Sequence, residues 1–131
     1  MNKYLCPYCC LQLDVDNQII LIGHQESGNK GLILLNAKLG DYNIKLPSGF
    51  SLDKGEKVHF HCPGCSKSLD YSRKEDFAWL LKQDEEGKEF TIIFSAIFGD
   101  HATYKISEER TISYGEKAIQ YTNPEWYLHE E

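Results

Sequence analysis

Two four-residue clips, Cys6-Pro7-Tyr8-Cys9 and Cys62-Pro63-Gly64-Cys65, constrain this chain more than anything else in it. Each clip puts two thiols on one tight turn, so that both sulfurs can reach a common point. Two such turns supply four soft ligands, the donor set of a tetrahedral zinc site. Four protein ligands leave no open coordination position, which points to a structural rather than a catalytic ion. Cys6, Cys9, Cys62 and Cys65 are the expected ligands. Iron is the rival ion, since the same thiolate tetrahedron accepts it and spacing does not separate the two. Zinc is favoured because the sequence shows nothing else expected of an electron carrier.

Comparing the chain with itself yields a second constraint. The first clip is followed by Leu13-Asp14 and the second by Leu69-Asp70, at an offset of 56 residues. Ile33-Leu34-Leu35-Asn36-Ala37-Lys38-Leu39-Gly40-Asp41 then matches Ile92-Ile93-Phe94-Ser95-Ala96-Ile97-Phe98-Gly99-Asp100 at an offset of 59. Gly55-Glu56-Lys57-Val58 matches Gly115-Glu116-Lys117-Ala118 at an offset of 60. Matches in the same order with a slowly growing offset indicate two copies of one unit, about 1–58 and 59–118, each headed by a clip. Repeats imply stacked or pseudo-symmetric architecture. With one four-ligand site for two copies, the metal belongs at their junction. Residues 1–121 read as a single β-domain and 122–131 as a C-terminal tail.

The repeat also decides a local ambiguity. Ser72 and Glu75 form a capping-box pattern ahead of Phe77-Ala78-Trp79-Leu80-Leu81, which alone favours a helix. The equivalent stretch of the first copy, Ile19-Ile20-Leu21-Ile22-Gly23, is short, β-branched and ends on glycine, as a strand does. Asp84, Glu85 and Glu86 would also crowd the helix C-terminus, where the dipole disfavours acids. Strand is therefore expected, and the fold class is all-β. Leu11, Leu13 and Val15 alternate, Asp16-Asn17 turns, and residues 18–23 return. Residues 31–39 are apolar at nearly every position, which predicts a central strand covered on both faces. Further strands are expected at 43–46, 56–60, 77–81, 90–98, 102–106 and 110–114, with turns at 46–49, 53–55 and 84–88.

The clips and their flanking strands resemble the two-knuckle zinc ribbon, a rubredoxin-like arrangement. That family often carries glycine just after the second cysteine of a knuckle, easing a left-handed backbone. Cys10 and Ser66 occupy those places here, so a less regular knuckle is expected. Cys6-Pro7-Tyr8-Cys9 also looks like the active-site tetrapeptide of glutaredoxins, but that family places it between a strand and a helix. Here it precedes an alternating strand pattern. Cys10, the odd thiol, is expected in the core, where free cysteines commonly sit. His59 and His61 flank Cys62 on the strand face opposite Phe60 and read as a solvated pair. Asp41 and Asp100, each after glycine, read as turn formers. No phosphate loop, nucleophile elbow or paired catalytic signature is present, so a non-enzyme is expected.

The formal charge of −6 becomes two units more negative once four thiolates and a divalent ion are counted. Lysines and arginines are scattered singly among acids, which disfavours nucleic-acid binding. No apolar run reaches the length of a membrane span. The N-terminus meets Cys6 before a secretory apolar stretch could form, so the expected location is the cytoplasm, where thiols stay reduced. The expected role is a zinc-stabilised protein-binding or adaptor module. The alternative is a thiol-redox or metal-release switch using Cys6, Cys9 and Cys10. Neither a particular partner nor an oligomeric state is specified by these residues.

Overall fold

Alternating burial is the signature of a half-buried strand, and it is clearest in 18–25, where Ile19, Leu21, Gly23 and Gln25 turn inward. The computed structural model describes residues 2–107 and 111–115 and places ten strands and no helix among them. These are β1 (Lys3–Leu5), β2 (Asp14–Val15), β3 (Gln18–Gln25), β4 (Lys30–Asn36), β5 (Ile44–Lys45), β6 (Val58–His61), β7 (Phe77–Gln83), β8 (Glu89–Ser95), β9 (Thr103–Ile106) and β10 (Thr111–Tyr114). The all-β class read from the sequence is what forms, and 77–81 lies in a strand. The tail 122–131 and the last residues of the second repeat, 116–118, lie outside the described residues, as does position 110.

All strand pairings are antiparallel and make two five-stranded sheets. One runs β1-β7-β8-β9-β10; the other runs β2-β3-β4-β5, with β6 also paired to β3. The strands entering the clips cross between the halves of the chain. β1, which leads into Cys6, pairs with β7, and Leu5 faces Leu81. β6, which leads into Cys62, pairs with β3, and His61 faces Ile22.

Corresponding hydrogen bonds recur in the two halves. In the β3–β4 hairpin, Gly28 N–H donates to Gln25 O at 2.9 Å; in the β7–β8 hairpin, Gly87 N–H donates to Asp84 O at 3.0 Å. Gly28 and Gly87 both have positive φ, the conformation for which such turns select glycine. The turns after β4 and β8 match as well. Asn36 Nδ2 donates to Asp41 Oδ2 at 3.0 Å, and Ser95 Oγ donates to Asp100 Oδ2 at 3.0 Å. Asp41 and Asp100 thus act as turn formers.

The main core lies between the inner faces of the two sheets. Leu21 and Ile33, with Val58 and Phe60 of β6, come from one sheet and Leu80 and Ile92 from the other. A second, smaller cluster of Phe77, Ile93, Ala102 and Tyr104 lies on a separate face of the first sheet. β8 is covered on both faces, since adjacent Ile92 and Ile93 are both buried, as are Phe77 and Ala78 of β7 and Thr103 and Tyr104 of β9. The expectation for 31–39 is corrected here: β4 is central between β3 and β5, but Leu32 is 54% exposed. Among the described residues, no second apolar cluster covers that face. Leu11 and Val15 are likewise exposed and only Leu13 of that alternating trio is buried, because β2 extends just two residues beyond it.

Gly23 is buried in β3 for a steric reason. A Cβ there would overlap Ile33 Cδ1 and lie 3.2 Å from Val58 Cγ1. Overpacking of this kind typically costs about 1–3 kcal/mol. Gly23→Ala is expected to destabilise by that amount in chemical denaturation, and an unchanged midpoint would show that the interior has room.

Candidate metal centre

Each clip is built from the strand before it and the backbone after it. After β1, Cys10 N–H donates to Cys6 O at 2.9 Å, Cys6 N–H to Leu11 O at 3.0 Å, and Leu13 N–H to Tyr4 O at 2.7 Å. After β6, Ser66 N–H donates to Cys62 O at 2.9 Å, Cys62 N–H to Lys67 O at 3.1 Å, and Leu69 N–H to Phe60 O at 2.8 Å. The two knuckles are thus made by the same bonds.

Their regularity corrects the expectation drawn from the missing glycines. Cys10 and Ser66 adopt the left-handed conformation themselves, at φ 65° and φ 66°. The turn imposes that geometry through its closing bonds, against a side-chain penalty of about 1–2 kcal/mol.

The knuckles bring Cys6, Cys9, Cys62 and Cys65 together, with all four sulfurs within 4.8 Å of one another. Across the clips, Cys6 Sγ lies 3.8 Å from Cys65 Sγ, and Cys9 Sγ lies 3.7 Å from Cys62 Sγ. A tetrahedron with zinc–sulfur bonds of about 2.3 Å has edges of about 3.8 Å. The spacing therefore fits a four-coordinate thiolate ion. Cys6 and Cys62 are fully buried, Cys65 is half-buried and Cys9 is exposed.

Backbone dipoles point at the two buried sulfurs. Tyr8 and Cys9 N–H donate to Cys6 Sγ at 3.3 and 3.5 Å; Gly64 and Cys65 N–H donate to Cys62 Sγ at 3.2 and 3.5 Å. Hydrogen bonds of this kind favour thiolate. Burial nevertheless pushes the Cys6 thiol up to about 12. At Cys62 burial also opposes ionisation, but the Cys65 and Gly64 amides and the neighbouring sulfurs outweigh it, and its pKa falls. At Cys9 a backbone hydrogen bond involving Leu11 lowers the pKa, yet burial and the Cys62 and Cys65 sulfurs leave it raised. The sulfurs thus compete for negative charge. Four thiolates at this distance need a cation among them.

The other sequence candidates fall outside the cluster. Cys10 is exposed, not in the core, because the left-handed residue ending the knuckle faces outward. His59 and His61 do share the face opposite Phe60. His59 sits between Glu26 Oε2 at 3.3 Å and Asp70 Oδ2 at 3.4 Å. His61 lies 3.1 Å from Ser66 O through Nδ1, and its ring stacks on His24 at 4.1 Å. The expected solvated pair is a partnered one.

Contacts between the knuckles were not anticipated. A Cβ on Gly64 would lie 2.7 Å from Leu11 Cδ2, so the first knuckle packs closely on the second through the Leu11 side chain. Lys67 Nζ sits 5.1 Å from the centroid of the Tyr8 ring. Leu11 and Lys67, like Tyr8 and Gly64, are related by the same offset of 56, which is the signal that marks these positions. No family model, curated protein or solved structure matches the chain.

Ser66→Gly is expected to raise stability by about 0.5–1 kcal/mol, the relieved strain less the added freedom of the unfolded chain. Equilibrium denaturation of the metal-loaded protein measures this; a loss of stability would mean that the Ser66 side chain contributes to the turn. Cys62→Ser should lower the melting temperature far more than Cys10→Ser. Equal melting temperatures would remove Cys62 from the ligand set.

Proposed function

We propose that the protein is a non-enzymatic β-domain in which Cys6, Cys9, Cys62 and Cys65 hold one structural zinc ion. The observation that carries this reading is the separation of 3.7–3.8 Å between sulfurs of opposite clips, the edge of a tetrathiolate tetrahedron. All four positions are filled by protein, so the ion staples the chain and does not activate substrate. The staple spans two copies of one unit. Recurring turn bonds, matched positive-φ positions and the reciprocal pairing of β1 with β7 and β6 with β3 support that duplication.

On this reading the domain serves as a protein-binding or adaptor module. Tyr8 and Leu11 on the first knuckle are 47% and 42% exposed, leaving apolar contact area beside the site. No helix among the described residues is long and apolar enough to cross a membrane.

A second reading, a thiol switch, draws on the exposure of Cys9 beside exposed Cys10. It requires Cys6 and Cys9 to alkylate as fast as Cys10 in the folded, metal-loaded protein. Alkylation confined to Cys10 rejects it.

Elemental analysis of protein purified without added metal should give about one zinc per chain. Iron in its place would keep the site and change the ion, whereas neither metal would remove the site. Tetrathiolate zinc contributes on the order of 10 kcal/mol to folding, so a strong chelator should unfold or loosen the domain. Unchanged circular dichroism and near-ultraviolet spectra after verified metal removal would make the ion dispensable.

A further inference from the structure

Among the described residues, the core is not closed at one end. A cavity of about 330 Å³ lies between the two sheets, walled by Ile19 and Leu35 on one side and Leu80, Ile92 and Phe94 on the other. That volume falls at the lower end of the range of about 300–1,000 Å³ found for small-molecule sites. Leu35, Leu39, Ile44, Leu52 and Phe94 pack on the core yet remain only partly buried, and all of them line this space. An apolar occupant would remove their remaining surface from water, at about 25 cal/mol per Å².

The polar part of the wall comes from the two matching turns. Asp41 and Asp100 line the cavity, each with its Oδ2 held by Asn36 or Ser95. Tyr42 and His101 line it too, with their rings stacked at 4.3 Å, and Tyr42 Oη lies 2.9 Å from Thr103 Oγ1. Among the described residues, Lys38 is the one lysine in the wall, against two carboxylates. This balance repels an anionic head group, while Asp41 already accepts at both oxygens, from Asn36 Nδ2 and from Asn43 N–H. None of the four clustered cysteines lines the cavity.

We propose that this cavity is a binding site for a small, largely apolar molecule with an uncharged or cationic hydrogen-bonding end, of the class of a medium-chain alcohol or amine. Its size excludes a two-chain lipid, and its charge disfavours a fatty-acid carboxylate. The site is independent of the metal: sulfur ligation is read by metal content, and cavity occupancy by ligand uptake.

The test uses the full, metal-loaded chain with Nile red, a neutral apolar fluorophore, as the probe. Saturable enhancement at one dye per chain is expected. Decylamine and decanol should displace the dye at roughly tenfold lower concentration than decanoate. Ala96→Leu and Leu52→Phe each push bulk into the cavity and should weaken dye binding by roughly tenfold with metal content retained, and Leu52→Phe, at a partly buried position, should also keep the denaturation midpoint. Replacing both Asp41 and Asp100 by Asn should narrow the gap between decylamine and decanoate. The proposal is overturned if dye uptake does not saturate or decanoate competes as well as decylamine. It is equally overturned if both filled variants fold and bind dye like the parent.

Discussion

Four sulfurs converge here because two short strands leave their own halves. β1 delivers Cys6 and Cys9 while paired to β7, and β6 delivers Cys62 and Cys65 while paired to β3. Were each strand to fold back within its own half, the clips would be placed by independent sheets. The exchange instead aligns both knuckles by backbone hydrogen bonds before any sulfur is considered. The core between the sheets, to which Val58 and Phe60 of β6 contribute, rests on the same crossing.

Local chemistry follows from that alignment. Two amides donate to each of the buried sulfurs of Cys6 and Cys62, which offsets the cost of burying negative charge at Cys62 but not at Cys6. The outer sulfurs, on Cys9 and Cys65, lie nearer solvent. Each knuckle also holds a non-glycine residue in a left-handed conformation. Strain of that kind persists only where surrounding bonds over-determine the backbone, and the paired closing bonds of each turn do so here.

Much of this arrangement was legible in the residues. Matched clips, a slowly growing offset and glycine-ended hairpins led to the strands, the turns at Asp41 and Asp100, and the clustered cysteines. What was not legible depends on the partner of an element and not on its own pattern. The apolar run 31–39 gives no sign that one face stays uncovered, since the cover for β8 comes from Phe77, Ala102 and Tyr104, which have no apolar equivalents packed beside β4. Cys10 looked like a core thiol because burial statistics ignore backbone conformation, and the positive φ at that position turns it outward. The exchange of β1 and β6 was invisible for a related reason. The pairing Leu5–Leu81 joins residues whose local sequence is compatible with several neighbours.

That exchange has a consequence for the order of events during synthesis. When the first four strand segments have left the ribosome, Leu5 still lacks Leu81, and β3 still lacks β6 along its second half. Contacts so distant along the chain are slow to close, because loop entropy must be overcome before any of them is rewarded. The first clip can meanwhile offer an ion only half a coordination shell. The N-terminal half is thus a waiting piece, able to complete neither its sheet nor its sulfur cluster until its counterpart arrives.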